Sequence, residues 1–207
     1  MANNGNRINM INKLLLLLAA AVLAACTNFN TPLKQAGWQA DTDSAEGFSS
    51  EGRLAVREGE KGSYANFEWQ DFGTVQNISV NTPLGNTVGV LCRDSEGVIA
   101  EDSSARQYRA DSIEALSQNL LGFTLPMSHL NQWARGRWAP GEAHEILADG
   151  RLRQSGWLIG RQLMADGVSP KILVLENERL NIRLVFDQFQ PLDLRTMKIG
   201  RCALRGV

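Results

Sequence analysis

The side chains best able to do covalent chemistry are few: three cysteines, Cys26, Cys92 and Cys202, and two histidines, His129 and His144. Cys26 closes the run Leu23-Ala24-Ala25-Cys26, where an apolar stretch ends in small residues and a thiol, the pattern of a signal-peptide cut. Cys92 and Cys202 stand far apart on predicted strands, with no CxxC and no neighbouring histidine to suggest redox or metal chemistry. In an oxidising compartment they either pair or sit as two buried thiols, and the sequence leaves both open. His129, two residues after Met127 in a predicted helix, reads as a surface or capping histidine. Glu142, His144 and Glu145 read as a solvated strand edge rather than an acid–base pair. Neither histidine has a ligand-spaced neighbour, and no GxSxG, P-loop, GxGxxG or HExxH pattern occurs. Neither an enzyme, a metal nor a cofactor is expected.

Residues ahead of Cys26 have the three parts of a secretory signal: a weakly basic start with Arg7 and Lys13, an apolar run from Leu14 to Leu23, and the small residues. Leu14 to Ala25 is shorter than the roughly 20 apolar residues a membrane span needs. A buried helix of a cytosolic protein is the alternative, but it would waste an all-apolar segment at the extreme N-terminus. Leucine, two small residues and cysteine resemble the lipobox of bacterial lipoproteins. The resemblance implies that Cys26 is acylated and becomes the first mature residue. Several acyl chains hold a protein to a bilayer almost permanently, at about 0.8 kcal/mol per buried CH₂. Thr27 stands where an aspartate would signal inner-membrane retention in enterobacterial lipoproteins, so the outer membrane is expected.

These residues need a scaffold, and the mature chain describes one. The whole chain carries 21 basic and 22 acidic residues; residues 1–25 hold Arg7 and Lys13 and no acid, leaving 19 against 22. So weak a charge argues against a nucleic-acid partner. Residues 26–47 are polar and small and read as a tether, with Trp38 marking a short docking helix. From residue 48 the period becomes two: Ala65, Phe67 and Trp69 share one face, and Asn66, Glu68 and Gln70 the other. Strands are predicted at Gly52 to Arg57, Val75 to Asn81, Thr87 to Arg93 and Val98 to Glu101, an antiparallel meander. Asp111 caps a predicted helix carrying Ile113, Leu116, Leu120 and Leu121 and stopped by Gly122. Pro126 opens a second, with Met127, Leu130 and Trp133 on one side and Gly136 at its end. Strands return at Ala143 to Ala148, Leu152 to Leu163, Lys171 to Leu175 and Leu180 to Phe186. The expected fold is a curved antiparallel sheet with helices over one side or one mouth.

With no catalytic set, the apolar groups carry the functional signal. Phe67, Trp69, Trp133, Trp138 and Trp157 face one another across sheet and helices. Packing explains each, whereas a barrel its helices do not fill would keep a space for an apolar ligand. Asn81-Thr82-Pro83-Leu84-Gly85-Asn86 is a turn with one large apolar residue in its middle. Leu84 either folds back onto the sheet end or points outward, leaving about 1.5–3 kcal/mol of burial for a membrane or partner to supply.

Several segments in order resemble the outer-membrane lipoprotein receptor family LolB: the lipobox cysteine, Gly52-Arg53-Leu54-Ala55-Val56, Phe67-Glu68-Trp69, Pro83-Leu84-Gly85, Leu125-Pro126 leading to Leu130 and Trp133, and Gln154-Ser155-Gly156-Trp157. The resemblance implies a mainly β fold with a helical lid, an incomplete antiparallel β-barrel enclosing a hydrophobic cavity over residues 48–189, with 190–207 as a strand or tail. It implies an outer-membrane-anchored monomer on the periplasmic face. Such a receptor accepts lipoproteins from the soluble carrier LolA, holds their acyl chains among Phe67, Trp69, Leu130, Trp133 and Trp157, and inserts them into outer-membrane lipid. Pro83, Leu84 and Gly85 would form the membrane-insertion loop. A structural lipoprotein scaffolding an envelope assembly complex is the alternative. Arg137-Trp138-Ala139-Pro140 is bulkier and more basic than the family's loop, and the tail from Pro191, with Lys198, Arg201 and Arg205, runs past the family pattern.

Overall fold

The computed structural model describes residues 37–40, 46–121, 124–197 and 200–206. The signal segment, Cys26, the helix stop expected at Gly122 and Lys198 lie outside the described residues.

A two-residue strand, β1 (Gln39–Ala40), precedes six strands that run down the sequence as hairpins: β2 (Glu46–Glu58), β3 (Lys61–Asp71), β4 (Gln76–Asn81), β5 (Thr87–Asp94), β6 (Gly97–Asp102) and β7 (Gln107–Ala110). Helices α1 (Ile113–Leu121) and α2 (Met127–Ala134) follow. The chain then returns to strands: β8 (Arg137–Trp138), β9 (His144–Ile146), β10 (Leu152–Gln154), β11 (Trp157–Leu163), β12 (Pro170–Glu176) and β13 (Leu180–Asp193). Single 3₁₀ turns at Leu194–Thr196 and Ala203–Arg205 end it.

Eleven strands form one antiparallel sheet in the order β7-β6-β5-β4-β3-β2-β13-β12-β11-β10-β9, with β7 and β9 as its edges, so the barrel is not closed. The first strand of the meander pairs with the last strand of the chain: β2 and β13 run side by side from Glu58 opposite Leu180 to Glu46 opposite Asp193. This pairing carries the sheet beyond both ends of the domain expected at 48–189. β1 pairs in parallel with β8 as a separate ribbon. Trp38 therefore stands immediately before a strand, not in a helix, and its Nε1 donates to the Gly150 carbonyl at 3.0 Å. The bulky Arg137-Trp138 segment is β1's partner.

Local chemistry explains two further differences from the sequence reading. Leu152 to Leu163 is a hairpin, because Ser155 (φ 52°) and Gly156 (φ 76°) both take positive φ between the paired Gln154 and Trp157, as a two-residue hairpin turn requires. α1 is capped by Ser112, whose Oγ accepts from the Ala115 amide at 3.1 Å, not by Asp111. Glu114 is thereby freed to bond elsewhere.

Alternation in the strands sends Phe48, Phe67, Trp69, Ile182, Leu184 and Phe186 inward, where they form one apolar core with Leu130, Trp133 and Ala134 of α2. A second, smaller cluster lies on the outward face of the sheet: Val75, Cys92, Ile99 and Cys202, with Phe72 and Leu204 against it. Cys92 and Cys202 form a disulfide, which resolves the alternatives the spacing left open. Arg205 locks the same tail, donating to Asp94 at 2.8 Å with side chains only 7% and 2% exposed. The Cys202 amide donates to Asp94 as well, at 2.9 Å.

Candidate functional site: an apolar hollow under two helices

Between the inner face of the sheet and the two helices lies a cavity of about 230 Å³. Its floor comes from Leu54 and Val56 of β2, Phe67 and Trp69 of β3, Ile78 and Val80 of β4, Leu91 of β5, Ala100 of β6, and Leu175, Ile182 and Leu184 across the seam. Its roof comes from Ile113, Leu116 and Ser117 of α1, Leu125 and Pro126 of the connection, and Met127 and Leu130 of α2. The one hydroxyl, Ser117 Oγ, is already engaged: it donates to the Glu114 carbonyl at 2.9 Å and accepts from the Leu125 amide at 3.0 Å. The wall therefore offers contact surface and no free side-chain polar group beyond the Trp69 indole, whose buried Nε1 has no hydrogen-bond partner. Aromatic packing stiffens the floor. Trp69 meets Phe48 edge-on at 4.7 Å between ring centroids, and Phe67 meets Phe186 likewise at 5.5 Å.

Phe67, Trp69 and Leu130 thus lie on the wall together, whereas Trp133 and Trp157 do not. Trp133 is wholly buried beyond the end of the hollow, because its indole N–H needs an acceptor and finds Gln154 Oε1 at 3.0 Å. Gln154 is held in turn by the Ala139 amide and carbonyl at 2.8 and 2.9 Å. Trp157 sits in the same packed core, and Trp138 stacks on His144 with centroids 4.3 Å apart. Helical spacing put Met127, Leu130 and Trp133 on one stripe, but the stripe outruns the cavity.

The two ends of the cover are fastened differently. At the C-terminal half of α2 the ties are buried: Asn131 Nδ2 donates to Asp71 at 2.9 Å, and Arg161 Nε donates to the Ala134 carbonyl at 3.1 Å. Burial pulls the Arg161 guanidinium down to about 10, with Asp166 opposing it, so it stays charged at neutral pH and complements the helix C-terminus. Gly136 (φ +77°) makes room, since a Cβ there would lie 2.3 Å from Arg161 Nη1. At the other end the tie is exposed: Glu114 of α1 accepts from the amide and hydroxyl of Ser128. Apolar contact does the rest.

A polar group missed in the sequence sits on the outer side of α2. His129 Nε2 lies 3.2 Å from Glu142 Oε1, and Ser155 Oγ lies 3.3 Å from His129 Nδ1. The serine donates directly to the Glu142 carboxylate, so its proton is directed at the acid and not at the imidazole. Twenty-six residues separate His129 from Ser155, and no local pattern links them.

At the far tip of the β4–β5 hairpin, Thr82 to Asn86 closes on itself. The Thr82 amide donates to the Asn86 carbonyl at 2.8 Å, and the Gly85 amide to the Thr82 carbonyl at 2.9 Å, with Gly85 at φ +89°. The turn is too tight for Leu84 to fold back, and it stands 90% exposed.

An open antiparallel sheet, two helices and the apolar hollow they enclose define a half-barrel that can shelter apolar chains, here with one leucine presented at a hairpin tip. A family profile described as "Outer membrane lipoprotein LolB" matches residues 46–189. The chain is 44% identical over 169 residues to the outer-membrane lipoprotein LolB of Neisseria meningitidis, covering 81% of this chain and 86% of that one. It is 35% identical over 183 residues to the LolB of Chromobacterium violaceum, covering 87% and 100%. Among solved structures, a LolA superfamily protein from Nitrosomonas europaea superposes with a TM-score of 0.45 at 8% identity, covering 70% of this chain and 86% of that one. The chain belongs to the LolB family of outer-membrane lipoproteins.

Proposed function

We propose that this protein is an outer-membrane receptor for lipoproteins: it takes them from a soluble periplasmic carrier of the LolA type, shelters their acyl chains in the hollow and releases them into the outer membrane. The observation that carries this reading is the hollow itself, whose wall is apolar on both sheet and helices. A scaffold whose apolar face was all core would have no such space. Acyl chains in water are unfavourable by about 0.8 kcal/mol per CH₂, which is the free energy the wall recovers. No bond is made or broken, so no catalytic group is called for.

Size adds a requirement. A cavity of about 150 Å³ holds one benzene, so 230 Å³ takes a stretch of one acyl chain, not two or three whole chains. The cover must therefore move. The buried ties keep the C-terminal half of α2 in place, and α1 with the start of α2 lifts away from it. Phe67, Trp69 and Leu130 contact the guest, while Trp133 and Trp157 hold the wall from behind. Acylated Cys26 anchors the domain to the periplasmic face of the outer membrane as a monomer, and Leu84, set by Pro83 and Gly85, enters the bilayer during release.

Titration of the domain lacking Cys26 with a triacylated peptide tests the reading. Saturable binding is expected, in competition with an apolar fluorescent probe. Absence of saturation overturns it.

A further inference from the structure

Where the Leu84 turn projects, the outward face of the sheet gathers exposed apolar, aromatic and cationic side chains. Tyr64 of β3 is 77% exposed and Val88 of β5 49%. Register fixes the neighbourhood. β4 ends at Asn81 opposite Asn66, and Asn66 Nδ2 donates to the Thr82 carbonyl at 3.5 Å, so the turn continues alongside Tyr64, two residues farther along β3. Tyr64 is opposite Ala55 of β2, and Ala55 is opposite Arg183 of β13. Arg57 shares that face, opposite Gly62 and Asn181. Ala55 thus separates Tyr64 from Arg183 across the strands, and Gly62 is the neighbour of Arg57 on β3.

Charge sets the corner apart. Arg53 and Lys171 are matched by Asp187, and Arg179 by Glu58; Glu60 ends the β2–β3 turn next to Lys61, the first residue of β3. Among the described residues, Arg57 and Arg183 have no carboxylate within ion-pair distance, although both are exposed and the chain as a whole carries a net charge of −1. The corner is a few projecting side chains, far short of the roughly 800 Å² per partner of a stable protein interface. A bilayer, in contrast, accepts single side chains. Tyrosine favours the headgroup level, with its ring in apolar surroundings and its hydroxyl wet, and a guanidinium matches phosphate oxygens two at a time.

We propose that Tyr64, Val88, Arg57 and Arg183 extend the Leu84 turn into a headgroup-reading surface for anionic phospholipids. The tip enters the hydrocarbon, Tyr64 and Val88 settle at its edge, and the two arginines take lipid phosphates. The inference rests on the reading of Leu84 as the membrane-entering residue, and it makes bilayer contact depend on headgroup charge.

The test uses the full chain carrying Val88→Cys, labelled with bimane, in phosphatidylethanolamine vesicles with or without phosphatidylglycerol and with lipids brominated near the headgroup. Quenching of the label that rises several-fold with phosphatidylglycerol is expected. Arg57→Gln with Arg183→Gln should abolish that rise, and Tyr64→Ser should weaken it. Equal quenching with and without phosphatidylglycerol or the arginines overturns the proposal. So does a label that responds to a soluble carrier and not to lipid. Uptake of an acyl probe is followed in the same vesicles: kept uptake with an unresponsive label sinks the surface alone, whereas lost uptake sinks the receptor reading.

Discussion

Glu114 on α1 accepts two hydrogen bonds from Ser128 on α2, from the amide at 2.8 Å and from the hydroxyl at 2.7 Å. This is the polar tie at the end of the cover that must lift. Both partners face water, so the tie costs little to break, about 1 kcal/mol, while the Asn131–Asp71 bond at the other end is buried. Glu114→Ala is therefore expected to speed release of a bound apolar probe several-fold and to raise amide exchange in α1, with the β2–β13 strands unaffected. Stopped-flow release and hydrogen exchange measure the two. Unchanged release would place the hinge elsewhere.

Leu84 stands 90% exposed on a turn closed by its own backbone. Substituting it leaves the hollow untouched, because the turn lies outside the cavity wall. Leu84→Glu should bind acylated peptide with unchanged affinity and fail to insert it into liposomes, forfeiting about 1.5–3 kcal/mol of apolar transfer and adding a charge. Equal insertion by both proteins would refute the role.

The disulfide closes a segment with a sequence separation of 110 on the outward face. Loop-closure entropy for that length is worth about 4–5 kcal/mol, so Cys92→Ser with Cys202→Ser should lower the denaturant midpoint markedly. Cys92 and Cys202 contact the hollow at no point, and probe affinity should hold. Coupled loss of affinity would show that the tail reaches the site.

Asp94 supplies an acid-dependent contribution at the same clasp. The Arg205 guanidinium bonded to it is the main cause that holds its carboxyl at about 2, against an ordinary 3.8. A carboxyl lowered on folding stabilises the fold above its ordinary value, and that contribution is lost as pH falls from about 4 to 2. Unfolding free energy should therefore drop across that window, and the drop should be smaller in Asp94→Asn. Identical pH profiles would contradict the assignment.

Much of this was legible in the chain because the sheet buries one face. Period two in Ala65, Phe67 and Trp69 specified which side chains turn inward, and the Pro-Leu-Gly turn marked Leu84 without deciding between folding back and exposure, which the closed turn settles at 90% exposed. What stayed hidden depended on contacts between distant residues. Trp133 obeys the same helical spacing as Leu130, yet a hydrogen bond to Gln154, 21 residues away, takes it out of the hollow. Ser112 caps α1 in place of Asp111, and Glu114 bonds Ser128, 14 residues on, instead of its own helix start. The pairing of β2 with β13, the disulfide and the His129–Glu142–Ser155 cluster join segments whose nearness only the folded sheet creates.

Guest acyl chains that fill the hollow should reach Trp69 and leave the core at Trp157 undisturbed. Two variants of the domain lacking Cys26, retaining only Trp69 or only Trp157 as tryptophan, should be titrated with a peptide acylated by a brominated fatty acid. Saturable quenching of Trp69 emission and little quenching of Trp157 are expected. No saturable quenching of Trp69, or equal quenching of both, would show that acyl chains bind elsewhere.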